Sequence, residues 1–362
     1  MELKNKKILV FTGGGLSPSL NPTLYGVINE AKKRKAKIYG GFFGWRCLLN
    51  GGKIMPLNNF KEEKIKNEGG TFLRSSRTNP YKFKNGPQEI KNNFEKHSFD
   101  YMIPIGGNDT LGAAYRFFKE KGIKLVAVPK TIDNDLSETY WAPGFPTAAA
   151  KLINITKEIR GAAYALSRIF IIEIFGEKAG WLTASAYLGK ADIIVPPERY
   201  IDIDRVIKLI KEKYKKNKGF VIIAMSKEAR LGDKIKGVVD DQNDSYGIVR
   251  QELKSHFLKK EIKKRLNIDT KIIIPGNYLQ TGPAIKIDRD FSILLGRTAV
   301  KMLDEGLFGF MPSLAKSGNK IVVKKIELSK NIGSNYLNNE MFDFKKLVPK
   351  KAFLNYMKPI MK

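Results

Sequence analysis

Cysteine and histidine are nearly absent from this chain of 362 residues, which has one cysteine, Cys47, and two histidines, His97 and His256. A single thiol forms no internal disulfide, so a reducing compartment is expected, and we expect a cytoplasmic protein. So few soft ligands also exclude a histidine–cysteine metal centre. Both histidines lie among lysines, where a structural or surface role outweighs catalysis. The N-terminal segment lacks the apolar centre of a signal peptide. No apolar run is long enough to span a membrane, so no membrane partner is expected. Acidic residues are scarce as well: 36 against 65 lysines and arginines, a formal net charge of +29. Basic surfaces attract nucleic acid, acidic membranes or phosphorylated substrates. Here the excess is largely lysine at helical spacing, as in residues 208–216 and 254–265. Such runs are most often solvated helix faces. With no nucleic-acid module and no aromatic–basic pattern, nucleic acid is not expected as a partner.

What is present is an alternation of apolar strands and helical stretches. Residues 99–105, 124–128, 169–174, 192–195 and 219–225 read as strands, and 22–34, 111–121, 146–165, 180–188 and 203–216 as helices. That order predicts an α/β fold with a largely parallel sheet. The length suffices for one large domain or two lobes with a substantial core. The charged stretch 227–245 reads as a loop or excursion. The basic stretch 345–362, with interspersed apolar residues, is open between a packed arm and a tail.

The densest chemistry lies in Pro129-Lys130-Thr131-Ile132-Asp133-Asn134-Asp135-Leu136, directly after the apolar run 124–128. Carboxylates at a strand's carboxyl end sit where open α/β sheets place their ligands. One carboxylate can take a hydroxyl proton while its neighbour holds a metal ion, a division suited to phosphoryl transfer. Asp and Asn also make ordinary turns, so the octapeptide alone leaves function and turn open. Two further strands run into polar loops: residues 7–11 into Thr12-Gly13-Gly14-Gly15-Leu16, and 101–105 into Gly106-Gly107-Asn108-Asp109-Thr110. Glycines let a backbone approach a ligand closely, and helix amino ends attract phosphate. Three such loops together are much less expected by chance than one.

These loops resemble those of the phosphofructokinase family. The first is similar to its GGDxPGxN loop, the second to its GGDxS/T loop, and the octapeptide to its PKTIDNDL signature. Residues 70–80 resemble GTxLGSSRTNP, 172–181 resemble VEVMGRxxGW, Val195-Pro196-Pro197-Glu198 resembles the IPE motif, and 276–283 resemble LGYLQRGGxP, with Asp288-Arg289 following. The resemblance runs from about Lys7 to Met311. It implies two α/β lobes with largely parallel sheets flanked by helices, and a site between them. Residues 1–144 and 282–335 would form the donor-binding lobe, and 145–281 and 336–362 the acceptor-binding lobe.

The resemblance also implies roles. Asp133 matches the catalytic base, with Thr131 and Lys130 beside it. Gly14, Gly15, Arg77, Gly107, Asp109 and Thr110 fall in the donor site. Asn108 and Asp135 stand where the family holds Mg²⁺. Arg168 matches an arginine that reaches a neighbouring subunit's sugar phosphate, so a homodimer or homotetramer is expected. Glu198 matches the carboxylate on the sugar hydroxyls, and Tyr278 and Lys271 the groups near the sugar phosphate. Phe175, Gly176 and Glu177 complete the acceptor side. Members that use ATP usually carry glycine where this chain has Asp109 and Lys130, which is the pattern of the pyrophosphate-using branch. The expected activity is therefore Mg²⁺-dependent phosphoryl transfer from pyrophosphate, rather than ATP, to fructose 6-phosphate in glycolysis. Four positions depart from the pattern: Leu16 and Asn108 replace aspartates, and Glu177 and Thr281 replace arginines. These leave open another sugar or a polyol such as an inositol as acceptor, and a catalytically weak regulatory or ligand-binding paralogue.

Overall fold

A computed structural model describes residues 3–176, 178–232, 239–243, 249–251, 254–318, 320–331 and 334–361. The chain forms two compact units, Met1–Ala148 with Gln280–Ser334, and Ala149–Leu279 with Asn335–Lys362. Each is α/β, with a largely parallel main sheet flanked by helices.

In the first unit, β1 (Lys7–Thr12), β2 (Lys37–Gly41), β3 (Ile54–Pro56), β4 (Tyr101–Gly106) and β5 (Val128–Pro129) form one sheet in the order β3-β2-β1-β4-β5. Only β3 runs antiparallel to its neighbour. Ile8, Leu9, Val10 and Phe11 are all fully buried. That continuous apolar run is the mark of a parallel strand covered on both faces. Helices α1 (Leu20–Lys33), α2 (Gly86–Lys96) and α3 (Asn108–Lys121) accompany the strands. Trp45 anchors the core, its ring 4.8 Å from both Phe11 and Phe117. The order of strands is what positions a site. From β1 the chain builds outward through β2 and β3, then returns to place β4 on the other side of β1. The carboxyl ends of β1 and β4 are therefore a topological switch point, where open sheets bind ligands.

The strand expected over residues 124–128 is only partly realised. Leu125 bridges Met102, whereas Val126 bridges Phe310. These pairings lie on opposite edges, as in an inner strand: the Val126 amide donates to the Met102 carbonyl at 3.2 Å and the Ala127 amide to the Phe310 carbonyl at 3.0 Å, and the regular ladder to β4 is confined to Val128–Pro129. A last helix of this unit, Lys286–Asp304, packs along α1.

The second unit begins along α4 (Phe145–Ala165) and carries β6 (Ile169–Ile174), β7 (Ile193–Val195), β8 (Val221–Ser226) and β9 (Thr270–Ile273). They pair in the order β9-β6-β8-β7, all parallel. The expected helix at 180–188 divides into α5 (Trp181–Ser185) and a tighter turn, Ala186–Gly189. Helix α6 (Ile203–Lys216) starts at Asp202, whose carboxylate accepts from the amides of Asp204 and Arg205 at 3.2 and 3.3 Å. It buries Val206, Ile207 and Ile210 and leaves Lys208 and Lys211 exposed, so this lysine run is a solvated face. Helix α7 (Lys254–Leu266) has the same division. The basic C-terminal stretch packs as an arm: Phe353, Tyr356 and Met357 are buried, with the Trp181 ring 5.1 Å from Tyr356. Within residues 227–245, Arg230–Leu231 pairs with Tyr200–Ile201, and Val239–Asn243 pairs with Val249–Gln251. Residues 233–238 and 244–248 lie outside the described residues. No helix among the described residues is long and apolar enough to cross a membrane.

Candidate active site

The first unit gathers its polar groups at the switch point. The loops after β1 and β4 are fastened to each other by the Gly13 amide, which donates to the Ile105 carbonyl at 2.9 Å. Thr110 fills the space beneath them: a Cβ on Gly13 or Gly106 would come within 2.7 or 2.5 Å of its hydroxyl. Thr110 is thus buried as the floor of both loops. Gly14 takes a left-handed φ of 83°, and its amide donates to the Ser76 carbonyl at 2.9 Å. Ser75 donates its hydroxyl to the Gly14 carbonyl at 2.7 Å, which ties in the segment carrying exposed Arg77. Helix α3 starts at Asn108, earlier than the apolar pattern alone indicates, so Asn108 and exposed Asp109 lie in its first turn.

Lys130 crosses under these loops. Its amide donates to the Gly106 carbonyl at 2.9 Å, and its ammonium donates to the Gly15 carbonyl at 2.7 Å. Only 3% of it is exposed. Burial lowers its pKa to about 8, opposed by the carboxylates of Asp133 and Asp135 and reinforced by the Arg77 charge. Asp109 is not among the groups acting on it, so the two residues read as a donor signature make no ion pair.

The following turn holds the two carboxylates. Thr131 accepts the Asp133 amide on its hydroxyl at 3.1 Å. Asn134 sits buried at the apex with φ 56°, its side-chain oxygen accepting from the Ala142 amide at 3.0 Å. Asn108 donates its side-chain amide to Asp135 at 2.8 Å. Burial pushes the Asp135 carboxyl up, while hydrogen bonds from its own backbone, Thr131 and Asn108 pull it down. Lys130, Thr131, Asp133, Asn108 and Asp135 are therefore one cluster, as the sequence expects.

Asp288, which the sequence marks only by its spacing, is a brace. Buried on the helix Lys286–Asp304, it accepts from the Gly144 and Thr147 amides at 2.9 and 3.2 Å and from the Thr147 hydroxyl. Gly144 in turn bridges Thr131. It has φ 104°, and a Cβ there would lie 2.1 Å from the Ser17 hydroxyl. Burial raises the Asp288 carboxyl to about 6, with the bonds from Thr147 and Gly144 opposing.

In the second unit the expected acceptor residues separate. Arg168 precedes β6 and Lys271 is at the start of β9, so both lie at the amino end of the parallel sheet. Arg168 is held by Asp269 at 2.9 Å. Tyr278 is 59% exposed on a short helical turn, with the Lys151 ammonium 5.0 Å from its ring. Phe175 and Gly176 follow β6, and the Gly176 carbonyl accepts from Ser226 at 2.7 Å. Glu177 lies outside the described residues.

Glu198 is at the opposite, carboxyl end, in a cavity of about 550 Å³. Lys178, Arg199, Arg230 and Lys254 line it, with Glu228, Tyr336 and Leu337. Neither Arg168, Lys271 nor Tyr278 does. One oxygen of Glu198 accepts from the Gly180 and Leu337 amides at 2.7 and 3.0 Å. The other is buried without a hydrogen-bond partner. Burial pushes this carboxyl up, against those amide bonds. The four cations of the cavity were not legible in the sequence, where they are a few among 65 basic residues.

Known proteins resemble this chain in sequence and in fold. The sequence matches the family model described as "Phosphofructokinase" over residues 7–303. It is 36% identical to the pyrophosphate–fructose 6-phosphate 1-phosphotransferase of Dictyoglomus thermophilum over 329 residues, 90% of this chain and 94% of that protein. Its identity to the Streptomyces coelicolor protein of the same name is 34% over 85% of this chain and 90% of that one. The fold is similar to the crystal structure of a pyrophosphate-dependent phosphofructokinase from Nitrosospira multiformis, with a TM-score of 0.87 at 20% identity over 99% of this chain and 92% of that one. The chain belongs to the phosphofructokinase family.

Proposed function

We propose that this protein transfers a phosphoryl group from pyrophosphate to the 1-hydroxyl of fructose 6-phosphate. The observation that carries the reading is the buried Lys130 ammonium, held at the Gly15 carbonyl beside Asp133 and Asp135 at the switch point. A fixed cation under two glycine loops suits a small, highly charged donor with no adenosine to anchor it. Asp109 occupies the first turn of α3 and disfavours a further phosphate there by its charge. The names of the relatives agree with this donor and acceptor.

In this scheme Gly14, Gly15 and Gly107 let the donor approach the backbone, and Arg77 and Lys130 neutralise it. Asp133 takes the proton from the acceptor hydroxyl as that oxygen forms its bond to phosphorus. The bridging P–O bond of pyrophosphate breaks, and inorganic phosphate leaves. Thr131 positions Asp133 through its backbone amide. The donor set suits a Mg²⁺ shared with substrate phosphates, because Asp135 offers one hard carboxylate with Asn108 beside it. When bound there, the ion would neutralise developing phosphate charge.

For the acceptor, Glu198 has a buried oxygen ready to accept a sugar hydroxyl, and the surrounding cations suit a phosphate. That lining favours a phosphorylated sugar over a neutral polyol. Arg168 and Lys271, at the other end of the sheet, would act on a neighbouring subunit, so the active unit is a homo-oligomer of cytoplasmic enzyme. The test is a product screen of purified protein, crossing pyrophosphate and ATP with fructose 6-phosphate and unphosphorylated polyols. Fructose 1,6-bisphosphate from pyrophosphate is the expected product. Turnover of a polyol alone would overturn the acceptor assignment, and no turnover of any pair would favour a regulatory paralogue.

A further inference from the structure

We propose that the C-terminal arm completes the acceptor cavity, its Phe344 ring holding the Arg199 guanidinium ready for an acceptor phosphate. This rests on the reading of the Glu198 cavity as a sugar-phosphate site. The arm, from Asn335 onward, lies beyond the span 7–303 that matches the family model.

The arm reaches the cavity directly, because Tyr336 and Leu337 line it. The Leu337 amide donates to a Glu198 oxygen at 3.0 Å, beside the Gly180 amide at 2.7 Å. Both amides fall on one oxygen, so the carboxylate is oriented and its other oxygen is left over. Gly180 is the meeting point: a Cβ there would lie 2.8 Å from that second oxygen and 3.0 Å from the Leu337 side chain. Further along, the Ile194 amide on β7 donates to the Leu347 carbonyl at 2.9 Å. The arm is thus fastened to the strand that leads to Glu198.

Arg199 directly follows Glu198 and lines the same cavity. Its guanidinium carbon lies 4.3 Å from the centre of the Phe344 ring. Phe344 is buried and edge-on to buried Phe342, with 5.0 Å between ring centres, so it is a fixed platform. An aromatic face attracts a cation without consuming its hydrogen-bond donors. The planar fork of Arg199 is therefore held with N–H groups available, and such a fork matches a phosphate. Lys254, by contrast, has its ammonium 3.7 Å from the Glu228 carboxylate, which takes up part of its charge. Holding the arginine in advance reduces the side-chain freedom lost on binding. The cavity pairs an oriented carboxylate for hydroxyls with an oriented guanidinium for phosphate, and the arm positions both.

Isothermal titration of the full chain with fructose 6-phosphate, ribose 5-phosphate and fructose, without donor, tests this. F344L keeps an apolar side chain and removes the ring face. It should weaken sugar-phosphate binding about threefold to fivefold, the scale of an exposed cation–π contact. F344Y should restore wild-type affinity. R199M should weaken binding roughly tenfold or more, as loss of a charged hydrogen-bond donor does. Adding F344L to R199M should weaken it no further, because the ring acts through the arginine. Pyrophosphate affinity should stay the same in all of these variants. Unaltered sugar-phosphate affinity in F344L would overturn the proposal. So would additive losses in the double variant, which would make the ring a packing element only. Fructose bound as tightly as fructose 6-phosphate, or no binding of any of the three, would overturn it as well. Ribose 5-phosphate bound in place of fructose 6-phosphate would contradict the acceptor named above, and the same variants would then decide the role of the arm on that ligand.

Discussion

The turn at residues 129–136 and the cavity around Glu198 are both polar, yet they are built in opposite ways. In the turn, neighbouring positions of one segment meet, and neutral partners hold three of the polar groups: Gly15 for Lys130, Asn108 for Asp135, Ala142 for Asn134. In the cavity, groups from five separate stretches of chain meet around a carboxyl oxygen with no hydrogen-bond partner. The first is assembled before any ligand arrives. The second keeps its charge available for one. Preorganised dipoles and charges favour chemistry, whereas an unsatisfied buried acceptor favours binding. The two regions should therefore fail differently when mutated.

The largest effect is expected inside the turn. Asp133→Asn should lower turnover by roughly 10²–10⁴-fold, the scale of general acid–base catalysis, with acceptor KM little changed. Steady-state kinetics beside a melting curve would check it, and undiminished turnover would remove Asp133 from the chemistry.

Next comes Lys130→Met, which should cost about 10²-fold or more in kcat with pyrophosphate, as loss of one fixed electrostatic donor does. It carries a pH signature too. Lys130 has a folded pKa depressed to about 8. A depressed lysine contributes stability above its unfolded pKa, and that contribution is lost as pH falls through about 8. Stability of wild type relative to Lys130→Met should therefore decline from pH 10 to pH 7. Urea titrations at several pH values would show it, and a flat difference would mean that the ammonium is hydrated.

In the cavity the effect should be smaller and of another kind. Glu198→Ala should raise acceptor KM about tenfold, the cost of one buried hydrogen bond to a charged group, with pyrophosphate KM unchanged. Equal losses in kcat and in donor binding would show that the two regions are not separable. The smallest effect is expected for the Asp288 brace. Its carboxyl is raised to about 6, so the stability it contributes is present below pH 4 and lost as pH rises through 6. Asp288→Asn should flatten the pH dependence of melting between those values, and an unaltered slope would show that Asp288 is solvated.

The same contrast explains what the sequence could disclose. Lys130 to Asp135 lie within one short segment after an apolar strand, so periodicity and local chemistry reveal them together. The α/β alternation was legible for the same reason, since β1, β4, β6 and β8 are continuous apolar runs. Hydrogen bonds between distant segments were not: by sequence Asn108 replaces a metal-associated aspartate, and its contact to Asp135 follows only from the placing of α3 beside the turn. The strand at 124–128 has a second edge partner in Phe310, which local pattern does not encode. Lys178, Arg199, Arg230 and Lys254 converge only through the parallel sheet, and no spacing marks them among so many lysines. The resemblance gives Lys271 a role beside Glu198, and strand polarity puts it at the other end of the sheet, near Arg168.

The central claim is that the first unit is built for pyrophosphate, and donor preference tests it most directly. We would measure kcat/KM for pyrophosphate and for ATP, with fructose 6-phosphate saturating, in wild type and in the double variant Asp109→Gly with Lys130→Gly. The account predicts a strong wild-type preference for pyrophosphate that moves toward ATP in the double variant. A wild type that uses ATP well and ignores pyrophosphate would contradict it.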